Sequence, residues 1–595
     1  MREEIILLQN EMKKEGIAAY VVPSDDYHGS EYVGAFFKCR EFLSGFTGSA
    51  GTLLVTETEA FLWTDGRYFL QAKDELAGTG ITLMKMGEKN VPSIIRKISE
   101  LSFEKEKYVV GFDGRVISYG FGKQLLESSP SIIIKSDVDL VDRIWMDRPQ
   151  IPCESVYEFD VKYAGEYRSS KLTRVREAME KEGADELYIT SLDDIAWLFN
   201  LRGNDISCNP VFLSYAKITK DKAFLFADKN RFEEAETLDI TRDGVVFEDY
   251  GNVIQHIKNT PKTSKIWIDE QKASFSLCDA IPDGVSVINK TIPTVLMKAI
   301  KNKTEMEHIR SSHLKDGIAV TKFLYWLKKN VGDLDITELD CVLKIEQLRQ
   351  EQELYVGPSF DTIAAYGAHG AIIHYEPTEK TNIPLEARGL ALFDTGGQYL
   401  DGTTDITRTV ALGHITPEER KYFTLVLKGH LNLAAAKFKS GCTGMALDYI
   451  ARGPLWELGE DYNHGTGHGV GFFLNVHEAP NGFRYKKVQE RDDGAVFEEG
   501  MLTSDEPGYY AEGKFGIRHE NLLLCVKDKE TAYGEYLKFE TVTLVPFDVD
   551  AIDKKLLTDR EKELLNEYHQ RVYQKLKSYL TADEQSWLEK VTKPI

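Results

Sequence analysis

Two stretches in the first half of this chain repeat one another, and an internal repeat of that length fixes the architecture before any single motif does. Met12-Lys-Lys-Glu-Gly16 matches Met179-Glu-Lys-Glu-Gly183, and each is followed by an apolar run of strand character, Tyr20-Val-Val22 and Leu187-Tyr-Ile189. Ser24 and Ser191 close the two runs. Farther along, Leu43-Ser-Gly-Phe-Thr-Gly48 echoes Leu198-Phe-Asn-Leu-Arg-Gly203, and Ala60-Phe-Leu-Trp-Thr-Asp65 echoes Ala223-Phe-Leu-Phe-Ala-Asp228. Each copy reads as helix, stop, strand and further strands, and this alternation of periods predicts an α/β domain.

The copies are expected to span 1–155 and 156–300, each a normal domain size, with Arg148-Pro-Gln-Ile-Pro152 and Ile292-Pro293 as linkers. Neither holds a cluster of histidines and carboxylates, so both read as scaffold or oligomerisation domains. One position stands apart: Arg67, in Asp65-Gly-Arg-Tyr-Phe69, is aligned with Asn230 of the second copy.

A chain of 595 residues needs further cores beyond these two. A third domain, 301–530, opens on Thr304 and Glu307, spaced as a capping box, with Val320, Leu324 and Leu327 following at helical spacing. The tail, 531–595, carries two more such boxes, Thr558 with Glu561 and Thr581 with Glu584. Leu565, Tyr568, Val572 and Leu576 share one helical face there, which predicts packed helices offering an interaction surface.

Composition narrows the class of function. A hydrophobic share of 42% with 28% charged residues is that of an ordinary globular protein, which argues against disordered, collagen-like and membrane classes. A net charge of -22 repels phosphate backbones and argues against nucleic acid as a partner. Seven cysteines without a close pair fit reduced, buried thiols rather than a disulfide framework. The opening Met1-Arg-Glu-Glu-Ile-Ile-Leu-Leu-Gln lacks the basic start of a signal peptide, and no run approaches the ~20 apolar residues of a membrane helix. A cytoplasmic protein without a membrane partner is the expectation.

Chemistry concentrates in four short, glycine-punctuated segments of the third domain. In the first, the apolar run Leu390 to Phe393 delivers Asp394 at its end, Asp401-Gly402 suits a turn, and Thr403, Asp405 and Thr407 are expected on one face of the returning strand. The second, His464-Gly-Thr-Gly-His468-Gly-Val-Gly, is followed by Asn475-Val-His477-Glu478. Its four glycines make a helix improbable and exclude the helical zinc motif. In an extended chain His464 and His468 fall on one side, and the missing side chains leave room for a ligand against the backbone.

The third and fourth segments are Ser504-Asp-Glu506-Pro-Gly-Tyr-Tyr510 and Gly516-Ile-Arg-His-Glu520-Asn521. Strand alternation puts Arg518, Glu520 and Leu522 on one face of a run ending in the core sequence Leu522-Leu-Leu-Cys-Val526. A buried Glu520 needs a partner, which is either Arg518 or a cation. Taken together, four carboxylates and one imidazole can neutralise two divalent ions, and this oxygen-rich set favours Mn(II), Co(II), Fe(II) or Zn(II) over thiolate-selected metals. Amide hydrolysis is the natural reaction class.

The order Asp394, Asp405, His468, Glu506, Glu520 resembles the five-ligand set of the pita-bread metallopeptidases, which include methionine aminopeptidase, prolidase and aminopeptidase P. Asp65-Gly-Arg-Tyr-Phe-Leu-Gln-Ala72, Gly370-Ala-Ile-Ile-His374-Tyr375, Asp401-Gly-Thr-Thr-Asp-Ile-Thr-Arg408, His464-Gly-Thr-Gly-His468, Asn475-Val-His-Glu478 and Ser504-Asp-Glu-Pro-Gly508 resemble the long, three-domain aminopeptidases P over essentially the whole chain. The resemblance implies an α/β and α+β multidomain fold: two creatinase-like α/β N-terminal domains, a pita-bread catalytic domain and a helical C-terminal extension. It implies a metal-dependent aminopeptidase that hydrolyses the Xaa-Pro bond at the amino terminus of peptides through a hydroxide bridging two metal ions.

It also implies roles for single residues. Asp394 binds one metal, Asp405 and Glu520 bridge both, and His468 with Glu506 holds the other. His374 and His477 contact substrate and stabilise the tetrahedral intermediate, and His464 lines the proline pocket. Arg67 is similar to an arginine that reaches substrate from the first domain, with a surface salt bridge as the alternative reading. Two divalent ions per subunit, Mn(II) foremost with Zn(II) or Co(II) as alternatives, and a homodimer follow from the same resemblance. The competing readings are prolidase, which takes dipeptides, methionine aminopeptidase, which needs no duplicated half, and a non-catalytic scaffold on the same fold.

Overall fold

The computed structural model describes residues 1–233, 239–488 and 493–595. It divides into two compact units, Met1–Asp160 with Glu166–Thr294, and Val161–Gly165 with Val295–Ile595.

The first unit contains the repeat as two six-stranded sheets of one topology. In spatial order the first runs Thr82–Lys85, Ala60–Thr64, Thr52–Thr56, Ala19–Pro23, Tyr108–Gly111, Ile132–Lys135. The second runs Val245–Glu248, Ala223–Phe226, Tyr215–Thr219, Glu186–Ile189, Lys265–Ile268, Ser286–Asn289. In both, the first strand of the copy pairs antiparallel on one side and parallel on the other.

The aligned stops explain the shared course. Gly16 and Gly183 end their helices in the left-handed conformation, at φ 67° and 69°. Gly45 and Asn200 end the next helix of each copy at φ 74° and 52°. Asn is among the few residues that tolerate this conformation, so it replaces Gly in the second copy without altering the chain path. Backbone bonds join the copies, from Tyr119 N–H to the Ala273 carbonyl (2.9 Å) and from Phe275 N–H to that of Ile117 (2.7 Å).

The second unit opens on the long helix Lys303–Asn330. Its capping box is made by Asn302 and Glu305, two residues before the expected Thr304 and Glu307. Asn is as good a cap as Thr, and here its side chain also donates to the Ala164 carbonyl at 2.8 Å, which fixes the helix start. Among the described residues three antiparallel sheets follow, the smallest made of Tyr355–Pro358, Gly397–Tyr399 and Gly402–Thr403. A three-stranded one has Leu390–Thr395 between Ile363–Tyr366 and Ile406–Ala411. A six-stranded one runs Lys437–Lys439, Gly534–Thr541, Asn521–Thr531, Leu502–Asp505, Gly467–Gly469, Glu478–Phe483. A ribbon, Gly508–Ala511 with Phe515–Arg518, lies in sequence between the strands Leu502–Asp505 and Asn521–Thr531 of that sheet.

Both expected C-terminal capping boxes form, on helices Asp559–Leu576 and Ala582–Val591. Their apolar face is not an open interaction surface. Leu565, Tyr568, Val572, Leu576 and Leu588 are buried in one core with Phe423, Val426 and Phe547. The Tyr568 hydroxyl donates to the Val545 carbonyl (2.7 Å) and accepts from buried Arg408 (3.0 Å), which itself donates to the Glu520 carbonyl at 2.6 Å. The tail thereby reaches the backbone of a candidate site residue.

All seven cysteines are free among the described residues, but only Cys278, Cys341 and Cys525 are buried, and Cys153 is exposed. No helix among the described residues is long and apolar enough to cross a membrane.

Candidate metal centre

Strand pairing gathers the acidic segments at one place. Asp394 lies near the end of the central strand Leu390–Thr395, opposite Ile363 on one side and Thr407 on the other. Asp405 immediately precedes the strand Ile406–Ala411 and so comes to the same end of that pair. The Glu520 N–H donates to the Thr407 carbonyl at 3.1 Å, which carries Glu520 over from the six-stranded sheet. On the far side the Glu506 N–H donates to the Thr466 carbonyl (2.8 Å), beside the short strand that holds His468.

Two local expectations fail here. Tyr399 pairs with Gly402, so the turn is centred on Leu400 and Asp401 rather than on Asp401-Gly402. The strand then breaks at Thr404 and Asp405, so Asp405 does not share a continuous strand face with Thr403 and Thr407. The reason is that Thr404 bonds outward: its hydroxyl accepts from Gly397 N–H at 2.9 Å, and its carbonyl accepts from Ser359 at 2.8 Å.

Glycine around His468 also serves differently from expectation. A Cβ on Gly467 would stand 1.8 Å from the Ser504 carbonyl oxygen, and one on Gly469 would stand 2.3 Å from that of Glu478. The missing side chains make room for the flanking strands, not for a ligand. His464 lies in a bend before the strand rather than in one extended run with His468.

The electrostatics are those of a cation site. Burial first, then the charges of Asp394 and Glu506, push the Asp405 carboxyl well above its usual range. Burial, then Asp405 and Asp394, do the same to Glu520, and burial raises Glu506. Arg518, one of the two expected partners of Glu520, instead binds Asp394 at 2.5 Å. Alternation does not carry from Arg518 to Glu520 because the strand ends at Arg518 and the next begins at Asn521 in another sheet. Among the described residues the side chain of Glu520 accepts from a neutral donor, the Thr407 hydroxyl at 2.7 Å.

Divalent ions fit this donor set. One oxygen of Asp394 is buried without a hydrogen-bond partner among the described residues. Ligand atoms of Asp405, His468 and Glu520 lie within 4.8 Å of one another. The His468 Nδ1 faces the Gly469 carbonyl at 2.9 Å, an acceptor that fixes the proton on Nδ1, and Nε2 faces Asp405 and Glu506 at 3.5 Å each. A lone pair aimed between carboxylates suits a metal ligand.

The other histidines flank this centre. The His477 ring stands edge-on to that of His468, centroids 4.3 Å apart. His374 is half-buried and directly follows Ile373, whose carbonyl accepts from Arg518 at 3.4 Å. His464 accepts at Nε2 from the Tyr510 hydroxyl (2.8 Å), and Tyr510 in turn accepts from Arg518 (2.8 Å). Burial, then Arg518, hold His464 well below the usual histidine range, so it is neutral. Arg67 lies in the first unit, where Asp65 (2.8 Å) and Glu31 (3.3 Å) hold its guanidinium. Sequence reasoning missed Tyr510 and Thr407. Both sit in the quoted motifs, but a neutral hydroxyl there carries no pattern that marks it.

The chain matches known proteins along its whole length. The profile of metallopeptidase family M24 matches residues 307–527, that of the C-terminal region of peptidase M24 matches 535–595, and creatinase/prolidase N-terminal domains match 5–144 and 147–305. The Xaa-Pro aminopeptidase 1 of Dictyostelium discoideum is 38% identical over 613 residues, covering 99% of this chain and 96% of the relative. The chain belongs to metallopeptidase family M24. A probable Xaa-Pro aminopeptidase P of Botryotinia fuckeliana is 41% identical over 613 residues, covering 100% of this chain and 93% of that one. A solved X-prolyl aminopeptidase from Caenorhabditis elegans, described as a cytosolic enzyme with a di-nuclear active site, superposes with a TM-score of 0.94. It is 35% identical and covers 100% of this chain and 99% of its own. The fold is thus two creatinase-type α/β N-terminal domains, a pita-bread M24 domain and a helical C-terminal region.

The raised carboxyls of this M24 centre set a pH dependence. In metal-free protein, Asp405, Glu506 and Glu520 hold protons more tightly folded than unfolded. The stability present below the ordinary carboxylate pKa is therefore lost as pH rises through the shifted values. Chelated protein should melt at a lower temperature at about pH 8 than at about pH 5, and Mn(II) should restore more at the higher pH because it competes with protons for the ligands. Differential scanning calorimetry of wild type beside Asp405→Asn/Glu520→Gln isolates the centre's share. A slope as steep in the variant as in wild type contradicts the assignment.

Proposed function

We propose that this chain is a dimetal-dependent Xaa-Pro aminopeptidase, releasing the amino-terminal residue of peptides whose second residue is proline. The observation that carries this reading is the buried cluster of four carboxylates and His468, in a chain similar over its full length to Xaa-Pro aminopeptidases. Asp394 would hold one ion, His468 and Glu506 would hold the other, and Asp405 and Glu520 would serve both. When bound, a pair of divalent ions polarises the scissile carbonyl and lowers the pKa of a water molecule.

The remaining work falls to side chains. His374 and His477 donate hydrogen bonds to the carbonyl oxygen as negative charge develops on it, an interaction stronger in the transition state than in the ground state. Arg518 offsets part of the charge of the cluster through Asp394. An Xaa-Pro bond has no N–H, so selection rests on the ring's shape and apolar surface. A neutral His464, locked by Tyr510 and the Gly465 carbonyl, supplies a fixed wall for that ring. For Arg67, whose guanidinium pairs with Asp65 and Glu31, substrate contact and salt bridge are the two readings that its substitution separates.

Further parts of the reading are Mn(II) as the native ion, one of the Mn(II), Co(II), Fe(II) and Zn(II) that the oxygen-rich ligation suits, and a cytoplasmic location, supported by the cytosolic C. elegans enzyme. The segments 1–155, 156–300, 301–530 and 531–595 serve as two N-terminal domains, catalytic domain and C-terminal extension. A homodimer is supported by an exposed aromatic patch in which Tyr449 (60% exposed) and Tyr485 flank Trp456 (36% exposed). Two copies pairing there would bury these rings.

Two measurements check the reading. Xaa-Pro-Xaa tripeptides should be cleaved with higher kcat/KM than Xaa-Pro dipeptides and than the same tripeptides with Ala for Pro, and Arg67→Ala should narrow the first gap. Preference for the dipeptide moves the assignment to prolidase, and equal cleavage of the Ala peptide removes proline specificity. In sedimentation velocity, Trp456→Glu should convert a dimer to monomer. A wild-type monomer, or an unaltered dimer in the variant, contradicts that interface.

A further inference from the structure

Glu338 is a buried carboxylate outside the metal centre, and its partners point to one job. It is the first residue of the helix Glu338–Gln350 and its side chain is 1% exposed. Among the described residues no lysine or arginine pairs with it. Instead it accepts four donors from a single segment: the Tyr366 N–H (2.8 Å), His369 Nδ1 (2.9 Å), the Tyr375 hydroxyl (2.9 Å) and the Ile383 N–H (3.4 Å). A carboxylate at a helix N-terminus is favoured by the exposed N–H groups, which offsets part of its burial cost. His374 lies within the segment so gathered.

The segment is fixed from the other side as well. The turn Gly367–Ala371 lies against the strand Phe515–Arg518 so closely that a Cβ on Gly516 would stand 1.6 Å from the Gly370 carbonyl oxygen. Arg518 on that strand donates to the Ile373 carbonyl at 3.4 Å while binding Asp394. The His369 and Tyr375 rings stack at 4.3 Å. The two neighbours of His374 are thus held separately: Ile373 by Arg518 of the metal centre, and Tyr375 by Glu338.

We propose that Glu338 is a positioning residue for His374, fixing the backbone on which that histidine meets the substrate. This rests on the reading of His374 given above. A buried carboxylate that served folding alone would be coupled to stability and not to the histidine. A positioning residue is coupled to the histidine's contribution to kcat.

The test is a double-mutant cycle on the metal-loaded, full-length enzyme, with kcat, KM, metal content and melting temperature measured for each variant. Glu338→Ala should lower kcat about 10- to 100-fold, the scale of a misplacement near one ångström, with metal content unchanged and KM within about twofold. Glu338→Gln keeps one acceptor oxygen and should recover part of the loss. In the background of His374→Ala, Glu338→Ala should lower kcat no further. Full activity in Glu338→Ala, or losses that multiply in the double variant, overturns the positioning role. Wild-type kcat in His374→Ala overturns the reading of His374 and this proposal with it. Should Glu338→Ala not fold, Glu338→Gln and Tyr375→Phe complete the same cycle, and the same lack of additivity is expected.

Discussion

Four carboxylates converge where the protein's own counter-charge is Arg518, bound to Asp394, and much of the second unit is built to hold that arrangement. Like charges in a desolvated site repel and hold on to protons, and both effects are removed when divalent cations sit among them. A centre of this kind is therefore poised to bind metal instead of being stable on its own. Burial, aided by the charge of Arg518, which reaches His464 through Tyr510, keeps that histidine neutral.

Holding several acidic groups together requires rigid, closely spaced backbone. Gly467 and Gly469 allow the strands on either side to approach the His468 strand closely. Below Glu520, buried Arg408 spends its donors on carbonyls and on Asn521, and Tyr568 from the C-terminal helix completes that network. Glu478, next to His477, is buried between Lys298 and Lys301. The histidines proposed to meet substrate thus sit on backbone anchored by charged or hydrogen-bonded neighbours, which limits reorganisation as the reaction proceeds.

Much of this was legible in the sequence, and the pattern of misses has a physical cause. The duplication could be read down to its helix stops, because left-handed positions demand Gly or Asn and leave a local signature. The five acidic and histidine positions could be named because each lies in a short motif whose neighbours are constrained. Pairings between distant segments leave no such trace: Arg518 meets Asp394 across 124 residues, and alternation offers Arg518 beside a cation as the partner of Glu520 only if the strand is unbroken. The glycines were recognised as unusual but assigned to a ligand, since sequence does not show which backbone comes near. Glu338 reads in sequence as an ordinary helix-start carboxylate; its tie to the His374 segment exists only in three dimensions.

The central claim, that this cluster is a two-ion centre, is tested most directly by anomalous diffraction at the manganese edge from crystals of the full chain grown with Mn(II). The account predicts two peaks among Asp394, Asp405, His468, Glu506 and Glu520, with Asp405 and Glu520 in contact with both ions. A single peak, or none among these residues with ions bound elsewhere, would contradict it.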